Sequence, residues 1–209
     1  MKPLIVANWK CNPTTLEEAK KIFKKANFPG AEVVICPPFI YLSTLGAKGA
    51  QDCFWEEKGA YTGEISPKML RDLGVEYVII GHSERRKYFK ETDETINKKM
   101  KAVIKAGLKP ILCIDKISQL PAKKQEGLII AYEPLFAIGT GKPCSPERAK
   151  KMRVLIQRKI GKNIKILYAG SVNSQNAKGY IKEAGFSGLL VGGASLKPQE
   201  FFDIIKAVC

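Results

Sequence analysis

The stretch GLIIAYEPLFAIGTGK, residues Gly127–Lys142, decides the fold. Its opening apolar run has about the length of a strand buried on both faces in a parallel sheet. One carboxylate, Glu133, ends the run before Pro134, and a loop of small residues follows. Six comparable runs lie elsewhere: PLIVANW (3–9), EVVICPP (32–38), YVIIGH (77–82), KPILCI (109–114), IKILYAG (164–170) and GLLVGGA (188–194). An eighth, weaker strand is expected in GAQDCF (49–54), where the strand–helix order needs one.

Helical segments separate the runs. Thr15 before LEEAKK, Ser66-Pro67 before KMLRDL, Asp93 before ETINKKM and Ser145-Pro146 before ERAKKM supply start signals. Eight strands alternating with about as many helices predict an α/β protein, a single (β/α)8 barrel over residues 1–209, in preference to an open doubly wound sheet. Two connections are short. KISQLPAKKQEG (116–127), with a mid-segment proline, predicts a reduced or missing helix between strands 5 and 6, leaving part of the barrel wall bare. YLSTLGAKG (41–49) leaves room for about two helical turns between strands 2 and 3.

Composition narrows the function. The chain has 209 residues, 45% of them hydrophobic, enough for one sizeable core. No segment approaches the roughly 18 apolar residues of a membrane span, and the N-terminus lacks a signal h-region, so a soluble, cytoplasmic protein with no membrane partner is expected. Six scattered cysteines without a C-x-x-C pair read as reduced, mostly buried thiols, and the single His82 cannot complete a zinc site; no metal is expected. The formal charge of +15 raises nucleic-acid binding as an alternative. Many of its lysines, however, fall in EEAKKIFKKAN, NKKMKAVIKAG and ERAKKMRVLIQRKIG, amphipathic patterns whose solvent faces they would occupy. No nucleic-acid partner is therefore expected, while a basic surface steers small anions inward.

In a barrel, residues at the C-terminal ends of strands face the active site. Those ends carry Asn8-Trp9-Lys10, Gly81-His82-Ser83-Glu84, Glu133-Pro134, Gly170-Ser171 and Gly192-Gly193. Together with the loop GAYTGEIS (59–66), the segments ANWKCN, GHSERR, AYEPLFAIGTGK, YAGSVN and LVGGASL resemble, in order and across nearly the whole chain, the signature segments of the triosephosphate isomerases. The chain looks like an unusually short, bacterial-type member.

The resemblance implies a small phosphorylated triose as substrate, no cofactor, and proton transfer between adjacent carbons through an enediolate. That chemistry needs a base, an electrophile and a grip on phosphate. In the family's pattern Glu133 is the base and neutral His82 the electrophile. Lys10 supplies positive charge, with Asn8 beside it and Glu84 orienting it. Gly139, Ser171, Gly192 and Gly193 offer amides to the phosphate. Pro134 to Lys142, with Phe136, Ala137, Ile138, Thr140 and Gly141 between, form a lid that excludes water. GTGK is not a nucleotide-binding loop: the first glycine of that motif would fall on Phe136, and Pro143 follows the lysine.

The chain also departs from the family. Phe136 stands where tryptophan is usual, and Ile114-Asp115-Lys116 where I-G-E is usual, so an open-lid pairing of tryptophan N–H with glutamate is lost as a unit. Altered lid opening is expected, with the chemistry kept. YAGS for Y-G-G-S is a small change. The family's dimer packs the loop holding Tyr61, Thr62 and Gly63 beside the partner's active site, so a homodimer is expected, and a tetramer through the bared wall is possible.

Overall fold

The computed structural model describes residues 2–25, 30–137 and 143–209. Along the chain run β1 (Leu4–Asn8), α1 (Leu16–Lys24), β2 (Glu32–Cys36), α2 (Phe39–Leu45), β3 (Gly49–Ala50), α3 (Pro67–Asp72), β4 (Tyr77–Ile80) and α4 (Ser83–Tyr88). They are followed by α5 (Asp93–Lys105), β5 (Lys109–Ile114), β6 (Ile129–Tyr132), α6 (Pro146–Ile160), β7 (Lys165–Tyr168), β8 (Gly188–Val191) and α7 (Pro198–Val208). The paired strands are all parallel, in the order β2-β1-β8-β7-β6-β5-β4-β3, and β2 and β3 come together at the remaining seam. This is a (β/α)8 barrel, as the alternation predicts.

Period-two geometry sorts each strand's side chains between two apolar layers. Leu4, Val6, Ile79, Ile111, Ala131 and Leu167 fill the barrel interior. Ile5, Ala7, Val78, Ile80, Ile130 and Ile166 point outward and pack against the helices. With both faces buried, no polar position interrupts the runs.

β3 is two residues long and opens with a glycine. A Cβ on Gly49 would come within 2.9 Å of the Ile35 carbonyl oxygen and 2.7 Å of Val34 Cγ1. Only glycine lets β3 lie this close to β2.

Thr15, Ser66 and Ser145 cap their helices as expected, each side chain accepting the N–H three residues on. At α5 the cap is Thr92, whose hydroxyl accepts from Thr95 N at 3.2 Å, and not Asp93. Asp93 instead sits in the first turn and pairs with Arg86 at 2.6 Å. A second correction concerns Lys99, assigned by its helical pattern to solvent but 3% exposed. Its ammonium lies between Asp52 (2.7 and 2.8 Å) and Glu91 (2.5 Å), and Arg85 bridges the same two carboxylates at 2.9 and 2.6 Å. This four-charge cluster ties the segment after β3 to α4 and α5.

Between β5 and β6 the only helical feature is a 3-10 turn, Ile117–Gln119, as predicted. The bared wall is not found. Leu112, Ile114, Ile130 and Tyr132, which such a helix would cover, are all buried, and share one cluster with Leu120, Leu128 and, from α6, Ile156 and Ile160. Local side chains and neighbouring helices thus close the gap. Between β7 and β8 a five-residue π-helical turn, Gly179–Glu183, stands in for a full helix, and Tyr180 stacks on Tyr168 at 3.6 Å.

Candidate active site

The predicted residues converge at the C-terminal ends of the strands. Lys10 lies two residues past β1, His82 two past β4, Glu133 directly after β6, Ser171 three past β7, and Gly192 directly after β8. Lys10, His82, Glu133, Ser171, Gly192 and Gly193 line one cavity of about 210 Å³, floored by Leu190. A larger cavity of about 700 Å³ also touches Glu133 and is lined by Ser83, Arg86, Cys113 and Asp115. Its lining lacks Ser171 and the Gly192-Gly193 pair, so the smaller cavity is the one that combines the titratable groups with these small residues. Lys10 and Glu133 line both.

Glu133 is 2% exposed. Its Oε2 accepts the Ser83 N–H at 3.0 Å, and its Oε1 lies 3.0 Å from His82 Nε2. His82 caps α4, its Nδ1 accepting the Glu84 N–H at 3.3 Å. An accepting Nδ1 bears no proton, so the network assigns the proton to Nε2, from which it is donated to Glu133. Burial drives both groups toward neutrality. It lifts the Glu133 carboxyl to about 8, against the Ser83 N–H and Lys10, which favour the anion. Burial, with Lys10 and Arg85, takes His82 down to about 4, against the pull of Glu84.

Lys10 has a left-handed backbone, φ 55°, a conformation costing a non-glycine residue about 1–2 kcal/mol. Asn8 Oδ1 accepts the Lys10 N–H at 3.0 Å, and Gln51 Nε2 donates to the Lys10 carbonyl at 2.9 Å. The ammonium reaches Glu84 Oε1 at 2.6 Å. Gly192 lies close under the lysine: a Cβ there would be 3.5 Å from Lys10 Cε. Gly193 starts a 3-10 turn, Gly193–Leu196, capped by Gly192.

Sequence reasoning missed Gln51, because GAQDCF gave only a weak strand signal. It also missed Ser83 as a donor to Glu133, fifty positions away, and Cys113, read correctly as a buried thiol but with nothing to announce that it neighbours Glu133. The change to YAGS puts alanine where it is tolerated. At Gly170 a Cβ would collide with the Tyr168 hydroxyl and approach Pro134 Cγ to 3.1 Å, whereas Ala169 is accommodated in the barrel interior.

Of the predicted lid, Pro134 begins a 3-10 turn at Leu135–Ala137, and Ser171 Oγ donates to the Ala137 carbonyl. Ile138, Gly139, Thr140, Gly141 and Lys142 lie outside the described residues. Phe136 is 46% exposed, and the Arg148 guanidinium of α6 lies 4.1 Å from its ring centroid. The aromatic ring without an N–H has thus acquired a cation in contact. The tip carrying Tyr61, Thr62 and Gly63 is exposed, closed at its base by Phe54 N donating to the Ile65 carbonyl at 2.8 Å. Among the described residues no helix is long and apolar enough to cross a membrane.

Comparison with known proteins agrees with this geometry. The family model for triosephosphate isomerase matches residues 3–208. The chain is 44% identical to the triosephosphate isomerase of Alkaliphilus oremlandii over 245 aligned positions, covering 98% of this chain and 99% of that protein. It is 41% identical to that of Dictyoglomus turgidum, with 99% of each covered. The first alignment is 36 positions longer than the chain (245 against 209), so that relative carries sequence omitted here.

Proposed function

The chain belongs to the triosephosphate isomerase family, and we propose that it interconverts dihydroxyacetone phosphate and D-glyceraldehyde 3-phosphate with Glu133 as base and neutral His82 as electrophile. The observation that carries the assignment of roles is the buried Glu133–His82 pair, 3.0 Å apart, in the cavity closed by Lys10, Ser171, Gly192 and Gly193. A carboxylate lifted by burial is basic enough to take a proton from carbon adjacent to a carbonyl. An imidazole kept neutral donates Nε2–H to a substrate oxygen without surrendering its proton outright, and then moves it between the two oxygens of the enediolate.

Glu133 and His82 engage each other at 3.0 Å. Substrate binding therefore requires Glu133 to leave the Ser83 N–H and His82, which frees Nε2–H for the substrate. Lys10 stabilises the developing negative charge, held at 2.6 Å by Glu84. Ser171 and the backbone at Gly192-Gly193 bind the phosphate with Gly139, and Pro134 to Lys142 close over it.

We assign the chain to a single domain, residues 1–209, working in the cytoplasm, where its free cysteines stay reduced. It pairs as a homodimer. Exposed Ile40, Tyr61, Met69, Tyr88 and Phe89 lie on elements that follow β2, β3 and β4, and support a contact surface there.

A coupled assay of triose phosphate interconversion on wild type and Glu133→Asp tests the roles. Wild-type turnover that falls by orders of magnitude in the variant is the expected result. Full activity in Glu133→Asp would remove Glu133 as the base.

A further inference from the structure

The geometry points to Gln51 as a positioning residue that fixes the strained backbone of Lys10 and so aims its ammonium into the anion site. This rests on the proposed role of Lys10 in holding a phosphorylated substrate.

A residue that must carry an ammonium cannot be glycine, so the left-handed conformation at Lys10, φ 55°, has to be imposed from outside. Its N–H is taken by Asn8 Oδ1 at 3.0 Å, within the same turn. Its carbonyl is taken from another strand: Gln51 Nε2 donates to Lys10 O at 2.9 Å and, with its second hydrogen, to Cys36 O at 2.8 Å. The Cys36 carbonyl also accepts Trp9 N–H at 3.2 Å. One side-chain amide thus joins the ends of β1 and β2 from its place directly after β3. No other side chain among the described residues donates to the Lys10 carbonyl.

Gln51 is itself held firmly. Gly49 sets β3 against β2, and the next residue, Asp52, is locked by Lys99 and Arg85. Restraint therefore passes from a rigid charge cluster, through one amide, to the backbone whose torsion decides where Lys10 Nζ sits. Removing the donor leaves a part-buried carbonyl unpaired and lets Lys10 relax toward an ordinary torsion, which moves Nζ away from Glu84 and Gly192. Gln51 itself does not line the 210 Å³ cavity, so it acts only through Lys10.

The test uses Gln51→Met, close in shape but without a donor, and Gln51→Ala as a second variant should the first be poorly folded. Both are placed in the wild-type and Lys10→Ala backgrounds. Two readouts are taken: kcat/KM for triose phosphate interconversion, and the Kd of inorganic phosphate by calorimetry. In the wild-type background Gln51→Met is expected to lower kcat/KM by about 10- to 100-fold and to weaken phosphate binding, with the thermal midpoint little changed. In the Lys10→Ala background the same change is expected to alter either quantity less than about 2-fold, since the group it positions is gone.

Equal losses in both backgrounds, or no loss in the wild type, would overturn the proposal. If the wild type binds phosphate but shows no isomerase turnover, the functional reading fails while the phosphate measurements still decide the role of Gln51.

Discussion

The rim of the barrel and its wall between β5 and β6 differ in what the chain has kept. At the rim, residues from five strand ends, among them Lys10, His82, Glu133, Ser171 and Gly192, meet around a 210 Å³ cavity. In the wall a 3-10 turn replaces a helix, and Leu120 and Leu128 fill in beneath it. The contrast follows from what each region must satisfy. A wall needs apolar contact from any source, because burial is non-directional. A site needs particular atoms at particular distances, for which no neighbour can substitute.

If that division holds, substitutions in the two regions separate activity from stability. The largest effect is expected at the rim: Glu133→Asp should lower kcat/KM by about 10²–10⁴-fold, the usual contribution of general base catalysis, with unfolding little changed. Next, Leu120→Ala in the wall should cost about 2–4 kcal/mol in urea unfolding, because a buried leucine leaves a cavity, while the folded protein keeps kcat/KM within about 2-fold. A wall variant that lost activity in step with Glu133→Asp would dissolve the distinction.

The pH dependence of stability sharpens it further. Glu133 titrates near 8 when folded and at the ordinary carboxylate value when unfolded, so its folded pKa is raised. The stability linked to it is full below about pH 4.5 and is lost as pH rises through about 8, at up to about 1.4 kcal/mol per unit inside that window. Glu133→Gln should remove this slope, gaining on the wild type as pH rises from 5 to 9 in denaturant titrations. A constant difference across that range would refute the raised pKa.

The smallest effect is expected where the lid meets the wall. Arg148→Ala removes the cation over Phe136, an exposed contact contributing about 0.5–1 kcal/mol. A change in kcat of no more than about 5-fold, without a shift in the pH profile, is expected in steady-state assays. A loss comparable to that in Glu133→Asp would place Arg148 among the residues of the site itself.

How much of this was readable beforehand also divides by region. The strands were legible because both faces are buried, which writes an unbroken apolar run into the chain. β3 was the weak one, and the reason is physical: Gly49-Ala50 contributes closeness, which carries no hydrophobic signal. Site residues were legible one at a time, as polar interruptions at strand ends. Their pairings were not. Nothing local to Glu133 marks Ser83 and His82 as its partners, and Lys99 carries no sign that its charge is spent on Asp52 and Glu91. The missing helix was legible from connection length, but the closure of the wall behind it depends on the fit of side chains from α6.

Gly49 has one more consequence. A methyl group at that position would wedge the seam between β2 and β3, and the displacement would travel two residues along the chain to Gln51, whose amide grips the backbone of Lys10. The barrel then behaves as a short lever, with its fulcrum at the seam and its working end at an ammonium group. A flaw too small to unfold the protein would be felt first as a loosened hold on anions.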